Sequence, residues 1–124
     1  MKTNLLLLSL FVSTPAIGDK LSPAAKEEVL HLFSFLEKSG CEFYRNGSWH
    51  KGNEASVHLR KKYQYLLGKG LLPSTESFID RAATESSISG KPYQVRCGTS
   101  VTFESGPWFK AELVRYRKRG ALAP

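Results

Sequence analysis

Residues 41–50, CEFYRNGSWH, decide the fold class of this chain. Asn46-Gly47 is the strongest short signal for a β-hairpin, because a type I′ turn needs a positive φ at both central positions. A two-residue turn also sets the pairs across the hairpin, which are Arg45 with Ser48, Tyr44 with Trp49 and Phe43 with His50. The stretch is therefore predicted to form two short antiparallel strands. Asn46-Gly47-Ser48 also matches the N-glycosylation sequence.

A second hairpin is predicted near the carboxyl end. Tyr93–Cys97 alternates apolar and polar residues, as a half-buried strand does, and residues 101–103 return after a turn at Gly98. Helices are predicted around the two hairpins from capping residues and helical spacing of apolar residues, at about 23–38, at about 53–67, after the N-cap Ser74, and from Ser105 to a stop at Gly120. The resulting order is α-ββ-α-α-ββ-α, which is an α+β domain with both hairpins in one small antiparallel sheet packed by about four helices.

The first eighteen residues have the layout of a secretory signal peptide. Lys2 supplies a positive start, residues 5–12 are mainly apolar, and Ala16 and Gly18 are small residues at the −3 and −1 positions of a cleavage site. The apolar run is far shorter than the roughly twenty residues that span a bilayer. We therefore expect cleavage near Gly18, a periplasmic or secreted protein, a single domain over 19–120, and a frayed tail over 121–124.

The charge and the cysteines fit this compartment. The chain has a formal net charge of +7, and the leader contributes only Lys2 to it. Such a balance favours acidic partners, although scattered surface charge also simply aids solubility. The two cysteines, Cys41 and Cys97, are predicted to pair in an oxidising compartment. Two small buried thiols are the alternative.

Five short blocks in a fixed order carry a family resemblance. They are Phe43–Gly47, His58–Arg60 with Lys62-Tyr63, Thr75–Ile79, Ser86–Tyr93 and Pro107-Trp108. Over about Val29 to Tyr116, the chain resembles the YfeK-like family of small exported bacterial proteins, a domain of unknown function. The resemblance implies one compact exported domain, and it implies no activity, cofactor or catalytic residue.

One polar cluster is the candidate binding site. The hairpin turn, the second helix and the loop before the third strand all carry polar residues that could meet in one pocket. A histidine beside cationic side chains would suit a carboxylate or a phosphate. The candidate residues are Arg45, Asn46, His58, Lys62, Ser87, Ser89, Lys91 and Tyr93. The leading hypothesis is a non-catalytic binding or accessory module for an envelope protein or a small anionic ligand.

Two other functions stay open at this point. One is an envelope enzyme with His58 as general base. The other is electrostatic association with anionic envelope components or nucleic acid through basic residues such as Arg115, Arg117 and Arg119. Ser89-Gly90-Lys91 does not complete a nucleotide-binding P-loop, because Glu85 and Pro92 stand where that motif needs Gly and Ser or Thr. The three histidines lack the spacing of metal ligands, so we expect no metal and no cofactor. No nucleic-acid motif accompanies the basic residues, and we do not expect a nucleic-acid partner.

Overall fold

The computed structural model describes residues 20–98 and 101–122. The predicted signal peptide, the turn residues 99–100 and the last two residues lie outside these ranges. The described part follows the predicted order, with elements α1 (Pro23–Lys38), β1 (Glu42–Arg45), β2 (Ser48–Lys51), α2 (Gly52–Gly68), α3 (Thr75–Ala82), β3 (Gln94–Arg96), β4 (Thr102–Glu104) and α4 (Ser105–Leu122). The prediction of a small α+β domain is confirmed.

The four strands form one antiparallel sheet in the order β2-β1-β3-β4. The first hairpin has the predicted register, with Arg45 opposite Ser48 and Phe43 opposite His50. Asn46 and Gly47 both have positive φ angles, 49° and 89°, as the type I′ turn requires. The two-residue loop thus sets which side chains of β1 face the helices.

The cysteines hold the two hairpins together. The sulfur atoms of Cys41 and Cys97 lie at disulfide distance, 1.99 Å apart, and their Cα atoms are 4.2 Å apart. Cys41 comes just before β1 and Cys97 just after β3, and these two strands pair through Phe43 and Val95. The covalent link therefore lies at one end of the central strand pair, whereas Arg45 and Tyr93 lie at the other end.

The core lies between the sheet and the helices. Helix α1 contributes a fully buried stripe, Val29, Leu32, Phe33 and Leu36, and the sheet contributes Phe43 and Val95. Helix α2 starts against α1 at Gly52, where a Cβ atom would lie 2.5 Å from the carbonyl oxygen of Leu36. This close approach explains why a glycine begins α2, and it fixes the position of the helix that carries His58 and Lys62.

The structure corrects the predictions for α4. Ser105 is not a cap outside the helix but its first residue, and its buried hydroxyl donates to the carbonyl oxygen of Ala83 at 2.6 Å. The helix also does not stop at Gly120 but continues to Leu122, so residues 121–122 are helical rather than tail. Strand β4 is displaced by one residue from the predicted 101–103. None of the helices in the described residues is long and apolar enough to cross a membrane.

Candidate functional site

The candidate site centres on the hydroxyl group of Tyr93, the residue before β3. Tyr93 is 2% exposed, and its hydroxyl lies 3.2 Å from Nε2 of His58 and 3.2 Å from Nζ of Lys62. His58 and Lys62 are one helical turn apart on α2, so both side chains reach the same point of the sheet. Arg45, at the end of β1, lies on the same helix-facing side of the sheet as Phe43.

The hydrogen bonds at this point have a defined direction. The Lys62 ammonium can only donate, so the Tyr93 oxygen accepts from it. Lys62 also donates to the backbone carbonyl oxygen of Glu85 at 3.3 Å. With its own proton on Nδ1, a neutral His58 accepts at Nε2 the hydrogen bond that the Tyr93 hydroxyl donates. The three side chains thus form a chain from Lys62 through Tyr93 to His58.

Burial and the neighbouring positive charges hold the pKa of His58 well below pH 7. Burial, and then the positive charges of Arg45 and Lys62, lower its pKa to about 4. Burial and Arg45 also lower the pKa of Lys62, and the Glu85 carboxylate opposes that effect. Burial raises the pKa of the Tyr93 hydroxyl. All three shifts have the direction that burial produces, because desolvation disfavours the charged form of each group.

Two adjoining cavities open at this chain of side chains. The narrow pocket has a volume of about 120 Å³ and is lined by Arg45, Asn46, His58, Lys62, Ser86, Ser87, Ile88 and Tyr93. The wide groove has a volume of about 360 Å³ and is lined by His58, Lys61, Lys62, Tyr65, Leu66, Arg81 and Ser87. Because His58, Lys62 and Ser87 line both, the two cavities are parts of one depression.

A tight loop forms one wall of the narrow pocket. The buried hydroxyl of Ser86 accepts hydrogen bonds from the backbone N–H groups of Ile88 and Ser89, and Gly90 has a φ of +70°. The backbone N–H of Ser86 also donates to the carbonyl oxygen of Lys91 at 3.0 Å. Ser86 was not among the predicted site residues. A serine followed by two or three residues and a glycine is the local sequence signal that could have identified it.

The predicted cluster is divided by this loop. Six of its members line the narrow pocket, namely Arg45, Asn46, His58, Lys62, Ser87 and Tyr93. Ser89 and Lys91 instead line an adjoining groove of about 350 Å³, which shares Asn46 with the narrow pocket, and Ser89 donates to the Asn46 side-chain oxygen at 3.2 Å. The structure therefore places Ser89 and Lys91 beside the narrow pocket rather than in its lining. Binding by all eight residues stays a prediction.

The structure also shows a polar network that the sequence did not predict. Glu112 on α4 is 3% exposed, and its carboxylate accepts hydrogen bonds from His31 at 2.6 Å, Arg115 at 2.9 Å and Arg119 at 3.1 Å. Arg117 donates to both Glu28 and Glu76. These partners come from α1 and α3. The arginines of α4 are thus engaged in ion pairs within the fold.

No metal site is found in the part of the chain that the structure describes. There, no group of three or more His, Cys, Asp or Glu side chains is placed to hold a metal ion. The side chains that line the narrow pocket include one imidazole, two cations, a phenol and two serine hydroxyls. Such a set can bind and neutralise an anion.

Comparisons with known proteins agree with the resemblance of the sequence. The model of a family described as a family of unknown function (DUF5329) matches residues 23–117. An uncharacterized protein YfeK from Salmonella typhimurium strain LT2 is 42% identical over 64 residues, which are 50% of this chain and 50% of that protein. The match thus spans half the length of this curated relative. No solved structure matches the chain.

Proposed function

Since the chain belongs to DUF5329, a family whose description assigns no function, we propose from the site alone that this protein is an exported, non-catalytic module that binds a small anion. The ligand lies in the narrow pocket, where Arg45 and Lys62 supply positive charge and Ser87 and Asn46 supply neutral hydrogen-bonding groups. Export rests on the leader-like first eighteen residues and on a cysteine pair that suits an oxidising compartment.

The observation that carries this proposal is the lack of a paired carboxylate at the site. Arg45 and Lys62 are half-buried neighbours, and among the described residues neither forms an ion pair. Placing two cations together away from water costs free energy unless a counter-ion is present. A bound anion would supply that counter-ion, and it would gain charge-assisted hydrogen bonds that are stronger than neutral ones.

The enzymatic alternative has less support from the geometry. A general base works best when its pKa lies near the operating pH, whereas the pKa of His58 is about 4. Its Nε2 atom is also occupied by the Tyr93 hydroxyl. Electrostatic association through α4 has less support as well, because Arg115, Arg117 and Arg119 each contact a carboxylate of the fold.

The proposal is tested by titrating the purified protein with inorganic phosphate and following backbone amide signals by NMR. We expect saturable shifts at Ser87, His58 and Lys62. Lys62→Met and Arg45→Gln should each weaken binding by about tenfold or more, the value of one hydrogen bond to a charged group. Lys26→Met removes the same charge from α1 outside the site and should bind as the unmodified protein does. The proposal would be overturned if no signals shift, or if Lys26→Met weakens binding as much as Lys62→Met does.

Export is tested separately by cell fractionation and amino-terminal sequencing. We expect the protein in the periplasmic or secreted fraction, with Asp19 as its first residue. A cytoplasmic protein that retains its first residues and has free thiols at Cys41 and Cys97 would contradict this part of the proposal. Anion binding would then still be tested by the titration.

A further inference from the structure

The ligand site extends beyond the narrow pocket into a region of different character. The wide groove shares His58, Lys62 and Ser87 with the narrow pocket, but its far wall is formed by Tyr65 and Leu66. Leu66 packs against the hydrophobic core, so this part of the wall is held in place. Tyr65 leaves 63% of its surface exposed beside it. A ligand that fills only the narrow pocket would leave this apolar wall in water.

Apolar and cationic side chains both line the depression. Ile88 lies on the wall of the narrow pocket, and 90% of its surface is exposed although its side chain is apolar. Lys61 and Arg81 line the wide groove, and among the described residues neither forms an ion pair. Single exposed apolar residues are common on protein surfaces. Here Tyr65, Leu66 and Ile88 line one depression that basic side chains also line.

We infer that the ligand is an anionic amphiphile, with a compact anionic headgroup in the narrow pocket and an apolar chain along Tyr65 and Leu66. This inference rests on the proposed function, because the headgroup is the anion proposed above. Arg45 and Lys62 form ion pairs with the headgroup. The apolar chain removes the exposed surface of Tyr65 from water, and the stems of Lys61 and Arg81 add apolar contact while their charges remain hydrated.

Chain length is the variable that separates this ligand class from a simple anion. Burial of one methylene group strengthens binding about fourfold. Methyl phosphate and octyl phosphate carry the same headgroup, and only the second has a chain that can follow the wide groove. We expect octyl phosphate, used as a monomer below its micelle concentration, to bind the purified protein with a Kd at least about tenfold lower than that of methyl phosphate.

Two exposed residues of α2 provide matched variants. Tyr65→Ser removes the exposed part of the apolar wall without touching the narrow pocket, so it should reduce the gain from chain length and leave the Kd of methyl phosphate unchanged. Val57 is 56% exposed on the same helix and lines neither cavity. Val57→Ser should therefore change neither Kd. Both sites are exposed, so both variants are expected to fold.

The outcomes distinguish this inference from the proposed function. If methyl and octyl phosphate bind equally well and both need Lys62, the amphiphile inference fails and anion binding stands. If neither binds in a Lys62-dependent way, both fail. If the gain from chain length survives undiminished in Tyr65→Ser, the chain does not lie along this wall and the inference is wrong. Binding to vesicles that contain phosphatidylglycerol, without binding to monomeric octyl phosphate, would indicate surface docking and would also overturn it.

Discussion

Two groups of basic side chains in this molecule are arranged in opposite ways. On α4, Arg117 contacts Glu28 at 2.8 Å and Glu76 at 2.7 Å, and the buried Glu112 receives two more arginines and His31. At the candidate site, burial and then the charges of Arg45 and Lys62 lower the pKa of His58, and Lys62 donates only to neutral oxygen atoms. We call the first group the paired network and the second the unpaired cations.

The difference indicates two uses of positive charge. The paired network connects α4 to α1 and α3, so its charges contribute to holding three helices together. The unpaired cations connect nothing by ion pairing, and their proximity disfavours the protonated form of His58. Arrangements that cost stability concentrate at functional sites, where the cost is recovered when a ligand binds. Changes in the two groups should therefore move stability in opposite directions.

The largest loss of stability is expected from removing the disulfide, which belongs to neither group. This loss is the reference for the smaller effects. Replacing both Cys41 and Cys97 by serine removes a link across a sequence separation of 56 residues. The free energy of unfolding should fall by about 4 kcal/mol, because the unfolded chain regains the entropy of an open loop. Guanidinium denaturation of both proteins measures this difference. A loss below about 1 kcal/mol would show that the link contributes little to the fold.

The paired network should show the second largest effect. Glu112→Gln leaves His31, Arg115 and Arg119 around a neutral amide, and we expect the free energy of unfolding to fall by about 2 kcal/mol. The value lies below that of a fully buried pair because both arginines are about half exposed. The matched control is Glu104→Gln on β4, an exposed carboxylate that should change stability little. Equal effects of the two variants would contradict the role of the paired network.

The unpaired cations should show a smaller effect with the opposite sign. Lys62→Met removes one of two neighbouring cations while the aliphatic stem is kept, and Tyr93 retains its hydrogen bond to His58. We expect the free energy of unfolding to rise by about 1 kcal/mol, measured by denaturation at pH 7. A decrease comparable to that of Glu112→Gln would show that Lys62 is chiefly structural, and the contrast between the two groups would then fail.

The smallest effect is the pH dependence contributed by His58. Its pKa is about 4 in the folded protein, against 6.5 for an unperturbed histidine. Between these values the unfolded chain binds more protons, so stability falls as the pH is lowered from 6.5 to 4. Because the ring is partly solvated, we expect about 1 kcal/mol over this range. In His58→Gln this part of the stability profile should be flat. An unchanged profile would contradict the assignment.

The paired network should respond in a different pH window. Hydrogen bonds from Arg117 lower the pKa of Glu28, and those from His31 and the arginines outweigh burial to lower the pKa of Glu112. Their contribution is complete above a pH of about 4.5 and is lost as the pH falls below it. One profile of stability against pH can therefore distinguish the two groups, because His58 contributes its change at a higher pH than the carboxylates do.

Local signals in the sequence predicted most of the fold. Asn46-Gly47 specified a turn and a register, and Ser74 was correctly placed as the cap of α3, where it forms a capping box with Ser77. Such signals act over a few residues, so they depend less on the rest of the fold than other features do. Gly120 was misjudged because a glycine weakens a helix without ending it when no left-handed turn follows.

The unpredicted features depend on contacts between residues far apart in the chain. Ser105 donates to Ala83 rather than capping its own helix, and Glu112 meets His31 across 81 positions. The proximity of His58 and Lys62 could be predicted, because their spacing places them on one face of a helix. Lys91 lies outside the lining of the narrow pocket because of the path of the loop that the Ser86 hydroxyl holds. The periodicity of apolar residues in the sequence does not predict that path.

Direct titration of His58 is the measurement closest to the central claim, that unpaired cations form an anion site. Its ring proton signal is followed by NMR against pH, with and without sulfate, whose charge is constant over this range. We expect a midpoint near pH 4 without sulfate and a higher midpoint with it, because a bound anion favours the imidazolium. Lys62→Met should raise the midpoint without sulfate and reduce the response to it. A midpoint near 6.5 that sulfate does not move would contradict the account.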